Sequence, residues 1–289
     1  MSRIAYVNGC YLPRADARVD IEDRGFQLSD GVYEVVYLSG GRLIDEGLHL
    51  DRLGRSLCEL RMDPPMSRAA LRHVLLEVAR RNRLRDGLLY MQVTRGVARR
   101  EHAFPTNPVP PTLVVTIRRV PPFPKDVMQW TGAAITQPDL RWARCDIKSV
   151  GLLPNVLARQ AAREQGAVEA ILIDRDGMVT EGAATSFWIV DAAGVLRTRP
   201  LDHAILPGCT RAALVDLLRE NGITFEESRF SEQEMRAARE AFITGATTFV
   251  KPILRIDHRP VGDGVVGPVT RRLFDIFARH VHGGLRNAA

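Results

Sequence analysis

Leu50, Leu53, Leu57 and Leu60 return every three or four residues, the period that lines one face of an α-helix, and they predict a helix over residues 47–60. Pro64 and Pro65 close it. Ser67 then opens a second helix whose buried face is Leu71, Val74, Leu75 and Val78. Around these two elements lie runs rich in β-branched and aromatic residues: "RIAYVNG", "VYEVVYLSGGRLI", "GLLYMQVTR" and "PTLVVTIRR". Such side chains pack well on a pleated surface, so the runs predict strands, and the glycines among them mark turns. The polar stretch "GVARREHAFPTNPVP" separates the last two as a loop.

"RVPPFPK", residues 119–125, is the expected linker, because its prolines restrict the backbone and interrupt ladder hydrogen bonding. Beyond it the pattern predicts a strand near residues 133–136 and a helix over 154–165 that stops near Gly166. "EAILIDRDGMVTEGAATSFWIVDAAGVLRT" reads as an antiparallel meander with turns at Asp176-Gly177 and Ala193-Gly194. "LPGCTRAALVDLLRENG" passes from turn to helix with Leu214, Leu217 and Leu218 on its apolar face, and "REAFITGATTFVKP" passes from strand to polar turn. A terminal helix over 268–280 uses Val269, Leu273, Ile276 and Phe277. The expected class is α/β with α+β character, in two mixed α/β domains: residues 1–118, the linker 119–125, and residues 126–289.

Composition narrows the function classes. A chain of 289 residues, 45% hydrophobic and 26% charged, has the make-up of a soluble globular protein able to bury a substantial core. The net charge of +6 comes from basic residues interleaved with acids, with no aromatic-rich basic module, so a nucleic-acid partner is not expected. No membrane partner is expected either: no apolar run is long enough to span a bilayer, and the N-terminus turns polar at Asn8-Gly9 before a signal-like core develops. Cys10, Cys58, Cys145 and Cys209 show neither metal-ligand nor disulfide spacing, and the seven histidines form no HExxH motif. The expectation is a cytoplasmic protein without a metal site.

Scarcity singles out one residue type. Of the 40 Lys and Arg only three are lysines, Lys125, Lys148 and Lys251, so a neutral primary amine has three side-chain candidates. Arginine cannot substitute, because its guanidinium stays protonated. Lys125 borders the linker and Lys251 precedes a proline, both ordinary places for a surface cation. Lys148, in "CDIKSVGLLPNVLARQ", stands between an extended stretch and a helix, where site residues often lie, although a surface cation is the plain alternative there too. As a nucleophile its amine would need desolvation or a cationic neighbour to become neutral. Gly208, Cys209 and Thr210 in "PGCTR" and Thr247 and Thr248 in "TGATT" suit an anion if both turns converge on it; singly each is an ordinary turn. Glu181 in "VTEGAATS" is a strand-end carboxylate or the partner of a ring nitrogen. Tyr33, Arg100 and His102 offer groups for a substrate carboxylate, or local hydrogen bonds.

Taken in order, "YVNG", "DRGFQLSDGVYEV", "HLDRLGRS", "QVTRGVARREHAFP", "CDIKSVGLLPNVLARQ", "VTEGAATS", "LPGCTR" and "TGATT" resemble the fold-type IV (class IV) pyridoxal phosphate-dependent aminotransferases, most closely the bacterial D-amino acid aminotransferases. The resemblance implies the fold-type IV PLP-enzyme fold and pyridoxal 5'-phosphate (PLP), interconverting with pyridoxamine 5'-phosphate. It makes Lys148 the Schiff-base lysine and Glu181 the partner of the pyridine nitrogen. Arg52 matches a phosphate-binding arginine, Cys209 and Thr210 match backbone phosphate contacts, and Thr248 matches a hydroxyl contact, with Thr247 beside it. Tyr33, Arg100 and His102 match positions for the substrate carboxylate. The resemblance further implies a homodimer in which Arg100 and His102 reach the neighbouring subunit's site, with the cofactor at the domain junction.

The implied reaction is reversible: a D-amino acid such as D-alanine gives its amino group to the cofactor, and a 2-oxo acid such as 2-oxoglutarate takes it away. Lys148 moves the α-proton. Ser29 and Ser186 depart from the family pattern, which more often has glycine and asparagine there, and "RREH" separates the chain from the fold's other transaminases. L-branched-chain amino acid or R-amine transamination is the nearest alternative reading, followed by aminodeoxychorismate lyase chemistry. A non-catalytic anion-binding interaction protein is the alternative outside enzymes.

Overall fold

In the computed structural model, which describes residues 3–283, the two helices expected from leucine spacing lie on one antiparallel sheet. The chain divides into two compact units, one of Met1–Pro122 and Ile147–Gly151, the other of Phe123–Asp146 and Leu152–Ala289. Residues 147–151, though they follow the stretch 119–125, pack with the first unit.

In the first unit, strands β1 (Ile4–Val7) and β2 (Cys10–Pro13) precede a short helix α1 (Arg24–Leu28). Then come β3 (Gly31–Ser39), β4 (Arg42–Leu43), helices α2 (Glu46–Glu59) and α3 (Arg68–Arg81), β5 (Gly87–Thr94) and β6 (Thr112–Arg118). The sheet order is β2-β1-β6-β5-β3-β4, and every pairing is antiparallel. Ser67 caps α3, its side chain accepting the Ala70 amide at 3.3 Å. Leu50, Leu53 and Leu57 of α2 and Leu71, Val74, Leu75 and Val78 of α3 are buried with Val32, Val36 and Leu38 of β3 in one core. The period-two rule puts Glu34 on that same face of β3, between two valines.

The second unit contains β7 (Gly132–Pro138), α4 (Leu153–Glu164), β8 (Glu169–Ile173), β9 (Val179–Gly182), β10 (Ser186–Val190), β11 (Leu196–Thr198) and α5 (Cys209–Glu220). It continues with β12 (Glu226–Glu227), α6 (Glu232–Arg236), β13 (Glu240–Gly245), β14 (Phe249–Ile256), β15 (Arg259–Pro260) and α7 (Pro268–Gly283). Its nine-stranded sheet runs β12-β11-β10-β13-β14-β7-β8-β9, with β15 on β14. Here the expectation of a continuous meander over residues 169–198 fails. β8 pairs with β9 and β10 with β11, but β10 joins β13 instead of β9. At the junction the Gly182 amide donates to Thr185 O at 2.8 Å, and beyond that turn β10 lies along β13. β7 is parallel to both β8 and β14; α4, between β7 and β8 in the chain, supplies the crossover that the first of these pairs requires.

Leu75 has no exposed surface. Leu75→Ala should lower the unfolding free energy by about 3 kcal/mol, the usual cost of a buried leucine truncation, as read from urea denaturation midpoints.

Candidate active site

Lys148 is held by its backbone. Its carbonyl accepts the Tyr33 amide at 3.0 Å, the Val150 amide donates to Gly31 O at 3.0 Å, and the Lys148 amide donates to Ser56 Oγ at 3.3 Å. The neighbouring Ile147 side chain is buried in the first unit's core. With the main chain fixed on both sides, the half-buried lysine sets its Nζ 4.2 Å from the centroid of the Tyr33 ring. Tyr33 stacks on Tyr90 at 5.6 Å. Burial, with Tyr33 nearby, pushes the Tyr90 phenol up to about 12, so it stays protonated and donates to Gln92 Oε1 at 2.6 Å.

Arg52 belongs to a buried charge cluster on α2 that sequence reading missed. Glu34 has no exposure, and a carboxylate there needs partners to remain ionised. The polar stripe His49, Arg52, Ser56, spaced at helical intervals beside the leucines, supplies them. Arg52 donates from Nε to Oε1 at 2.7 Å and from Nη2 to Oε2 at 2.8 Å, and His49 Nδ1 lies 2.7 Å from Oε2. Burial alone would raise the Glu34 pKa, but the charge and hydrogen bonds of Arg52, with those of His49, outweigh it and hold the carboxyl at about 2 against 4.5. The fork fixes the guanidinium plane and directs Nη1 away from Glu34. The legible signal was an acidic residue among valines at an inward strand position.

Glu181, in the second unit, is clamped through one oxygen. Oε1 receives Arg141 Nη1 at 2.5 Å and the Leu206 amide at 3.0 Å; among the described residues Oε2 has no hydrogen bond. Asp139 orients Arg141, accepting its Nε at 2.9 Å and its Nη2 at 2.7 Å, and Ala204 O accepts Nη2 at 3.0 Å. Burial pushes the Glu181 pKa up, against the pull of Arg141 and the Leu206 amide. A desolvated carboxylate with one oxygen open favours a further cationic donor. Asp139 and Arg141 were also missed, since nothing in "DLRWAR" marks them beyond ordinary loop charges.

The two turns read as anion-binding both pack on residues 184–186. A Cβ on Gly208 would come within 2.6 Å of Ser186 Oγ, and one on Gly245 would lie 3.1 Å from Thr248 Oγ1 and 3.4 Å from Thr185 Cγ2. Gly208 N-caps α5 without a side-chain cap, so Cys209 and Thr210 begin the helix, both buried. Thr248 Oγ1 is buried and, among the described residues, has no hydrogen-bond partner, while Trp130 Nε1 pins the turn by donating to Thr248 O at 2.8 Å. Thr247 is exposed. An uncapped helix start, a glycine where a side chain would collide, and an orphaned hydroxyl fit a phosphate group.

Arg100 and His102 are exposed in the loop between β5 and β6. Among the described residues neither is hydrogen-bonded or ion-paired to Lys148 or Tyr33. Ser29 adopts φ 57°, left-handed backbone in which glycine is more comfortable, and ends α1 there.

Glu34 also gives a pH signature. Its folded pKa is depressed, so its stabilisation is complete above pH 4.5 and is lost as pH falls through about 2. Glu34→Gln should cost about 3 kcal/mol at neutral pH, because it removes the charge that Arg52 Nε and Nη2 and His49 Nδ1 meet in the core. It should also flatten the dependence of the urea midpoint on pH across that window.

The family model for amino-transferase class IV matches residues 31–256. The chain is 41% identical over 277 residues to the D-alanine aminotransferase of Listeria monocytogenes, covering 95% of each chain. It is 42% identical over 267 residues to that of Bacillus licheniformis, covering 92% of this chain and 93% of the relative. Among solved structures it resembles the branched-chain aminotransferase of the thermophilic archaeon Thermoproteus uzoniensis with norvaline, with a TM-score of 0.83, 25% identity, and coverage of 98% and 96% of the two chains. The Escherichia coli branched-chain enzyme shares the fold, with a TM-score of 0.85, 24% identity and coverage of 96% and 94%. With the family model spanning most of its length and relatives at this identity, the chain belongs to the class IV aminotransferases.

Proposed function

We propose that this chain is a PLP-dependent D-amino acid aminotransferase, moving the amino group of a D-amino acid such as D-alanine to a 2-oxo acid such as 2-oxoglutarate. The observation that carries this reading is Lys148, a scarce amine whose backbone is tied to β3 and α2. When bound, the cofactor supplies an aldehyde carbon that receives the amino group and a conjugated ring that draws electrons from the substrate.

The residues divide the remaining work. The Lys148 amine would hold the cofactor and would move the proton at the substrate Cα. Oε2 of Glu181 would accept the protonated ring nitrogen, and Arg141 on Oε1 aims that carboxylate and favours its ionised form against burial. Arg52 of the first unit is assigned to the phosphate, as are the amides of Cys209 and Thr210 and the hydroxyls of Thr247 and Thr248, which would hold it in the second. The orphaned Thr248 Oγ1 supports that assignment.

Tyr33, Arg100 and His102 hold the substrate carboxylate, with Arg100 and His102 serving the neighbouring subunit of a homodimer. Their exposure within one protomer supports this, as does the exposed apolar face of α4, where Leu153 is 74% and Leu157 66% exposed. No described helix is long and apolar enough to cross a membrane, and all four cysteines are free, which supports action in the cytoplasm.

Purified protein supplied with PLP and a 2-oxo acid should convert D-alanine and leave L-branched-chain amino acids and R-amines nearly untouched. Coupled assay of the 2-oxo acid formed measures this. Exclusive turnover of L-amino acids would overturn the stereochemical assignment, and no cofactor uptake at all would favour a non-catalytic anion-binding protein.

A further inference from the structure

The motif "DRGFQLSDGVYEV" contributes Tyr33 to the site, yet Arg24 and Asp30 within it have no part in the assignments above. Arg24 is only 2% exposed, on a five-residue helix where an unpaired guanidinium would be costly. Its Nε donates to Asp30 Oδ2 at 2.8 Å, and its Nη1 donates to the carbonyl of Glu101 at 2.6 Å. Glu101 lies between Arg100 and His102. A buried charge is thus spent on one main-chain oxygen of an otherwise exposed loop.

The attachment is reinforced along the loop's near end. Asp30 also accepts Arg95 Nε at 2.7 Å and Nη2 at 3.0 Å, and Arg95 Nη2 reaches Leu60 O at 2.7 Å. The Arg95 guanidinium carbon sits 3.7 Å from the centroid of the Phe104 ring. Asp23 accepts Thr94 Oγ1 at 2.8 Å, the Arg24 amide donates to Gly96 O at 2.9 Å, and the Ala98 amide donates to Glu22 O at 3.3 Å. Gly96, at φ 99°, fits only without a side chain, because a Cβ would strike Pro110 O. From residue 94 to residue 101 the chain is therefore tied at both its backbone and its side chains to residues 22–30, and Phe104 packs on Arg95.

We propose that Arg24, with Asp30 and Arg95, is a positioning device that fixes the Glu101 peptide and so aims Arg100 and His102 at the substrate carboxylate. Arg24 does not touch substrate; it acts through the main chain between the two residues that do. A loop between two strands that is free to move would present Arg100 in many orientations, and ordering it on binding would weaken the affinity for the acid. The brace removes that cost in advance. This rests on the carboxylate role assigned to Arg100 and His102 above.

The test uses the full-length, PLP-loaded enzyme and compares Arg24→Gln, Arg24→Lys, Asp30→Asn and Arg100→Ala. Loss of one charge-assisted hydrogen bond should raise KM for D-alanine about tenfold in Arg24→Gln, with a much smaller change in kcat. Arg24→Lys, which keeps the charge but can serve only one acceptor well, should fall between it and the wild type. Visible absorbance of the bound cofactor should be unchanged. Amides of residues 97–104 should exchange hydrogen faster in Arg24→Gln while those of β5 keep their wild-type rates. Asp30→Asn, which keeps side-chain size, should reproduce both effects and stands in if Arg24→Gln does not fold. Arg100→Ala should raise KM without altering exchange. Wild-type KM and exchange in Arg24→Gln or Asp30→Asn would overturn the brace, as would faster exchange throughout β5, which marks general loosening. An unchanged KM in Arg100→Ala would instead overturn the carboxylate assignment, and the brace with it.

Discussion

The carboxylate of Glu34 lies on the core face of β3 with no exposed surface, and its need for partners governs how α2 lies on the first sheet. Arg52 and His49 must both face inward to meet it, which turns the leucine stripe of α2 onto the same sheet and leaves Ser56 one turn further along the helix. Ser56 Oγ then accepts the amide of Lys148. A single buried charge thus ties together the guanidinium assigned to the phosphate and the backbone of the amine assigned to the cofactor. Replacing the cluster with apolar residues of similar volume would be tolerated by packing; the arrangement of the site would not survive it.

The same economy of construction recurs in the second unit. Asp139 orients Arg141, Arg141 and the Leu206 amide occupy one oxygen of Glu181, and among the described residues the other oxygen accepts no hydrogen bond. Ser186 and Gly208 pack so closely that a side chain at Gly208 would have to displace the Ser186 hydroxyl, which bears on the departure at Ser186. A serine there brings its hydroxyl against the N-cap of α5. In each unit, groups with assigned chemistry are held by neighbours that do none themselves, as expected where a misplacement of an ångström costs orders of magnitude in rate.

Much of this was legible in the sequence. The leucine period located α2 and α3, Ser67 marked the start of α3, and the rarity of lysine narrowed the amine to three residues before the ordered resemblance selected Lys148. Buried partners were not legible, because Asp139, Arg141 and His49 look like surface charges until the fold encloses them. Strand neighbours were hidden for a related reason. Periodicity tells which face of a strand is buried but not which strand lies beside it, so the break between β9 and β10 and the parallel pairing of β7 emerged only with the sheet. In the terminal helix the pattern was right in period but shifted in detail, Thr270 being buried and Val269 half-buried.

The central claim is that Lys148, of the three lysines, is the amine that holds the cofactor. Borohydride reduction of the PLP-loaded protein, followed by proteolysis and mass mapping, fixes the cofactor to whichever amine carries it. The added mass should fall on the peptide containing Lys148. Cofactor fixed to Lys125 or Lys251, with Lys148 unmodified, would contradict it.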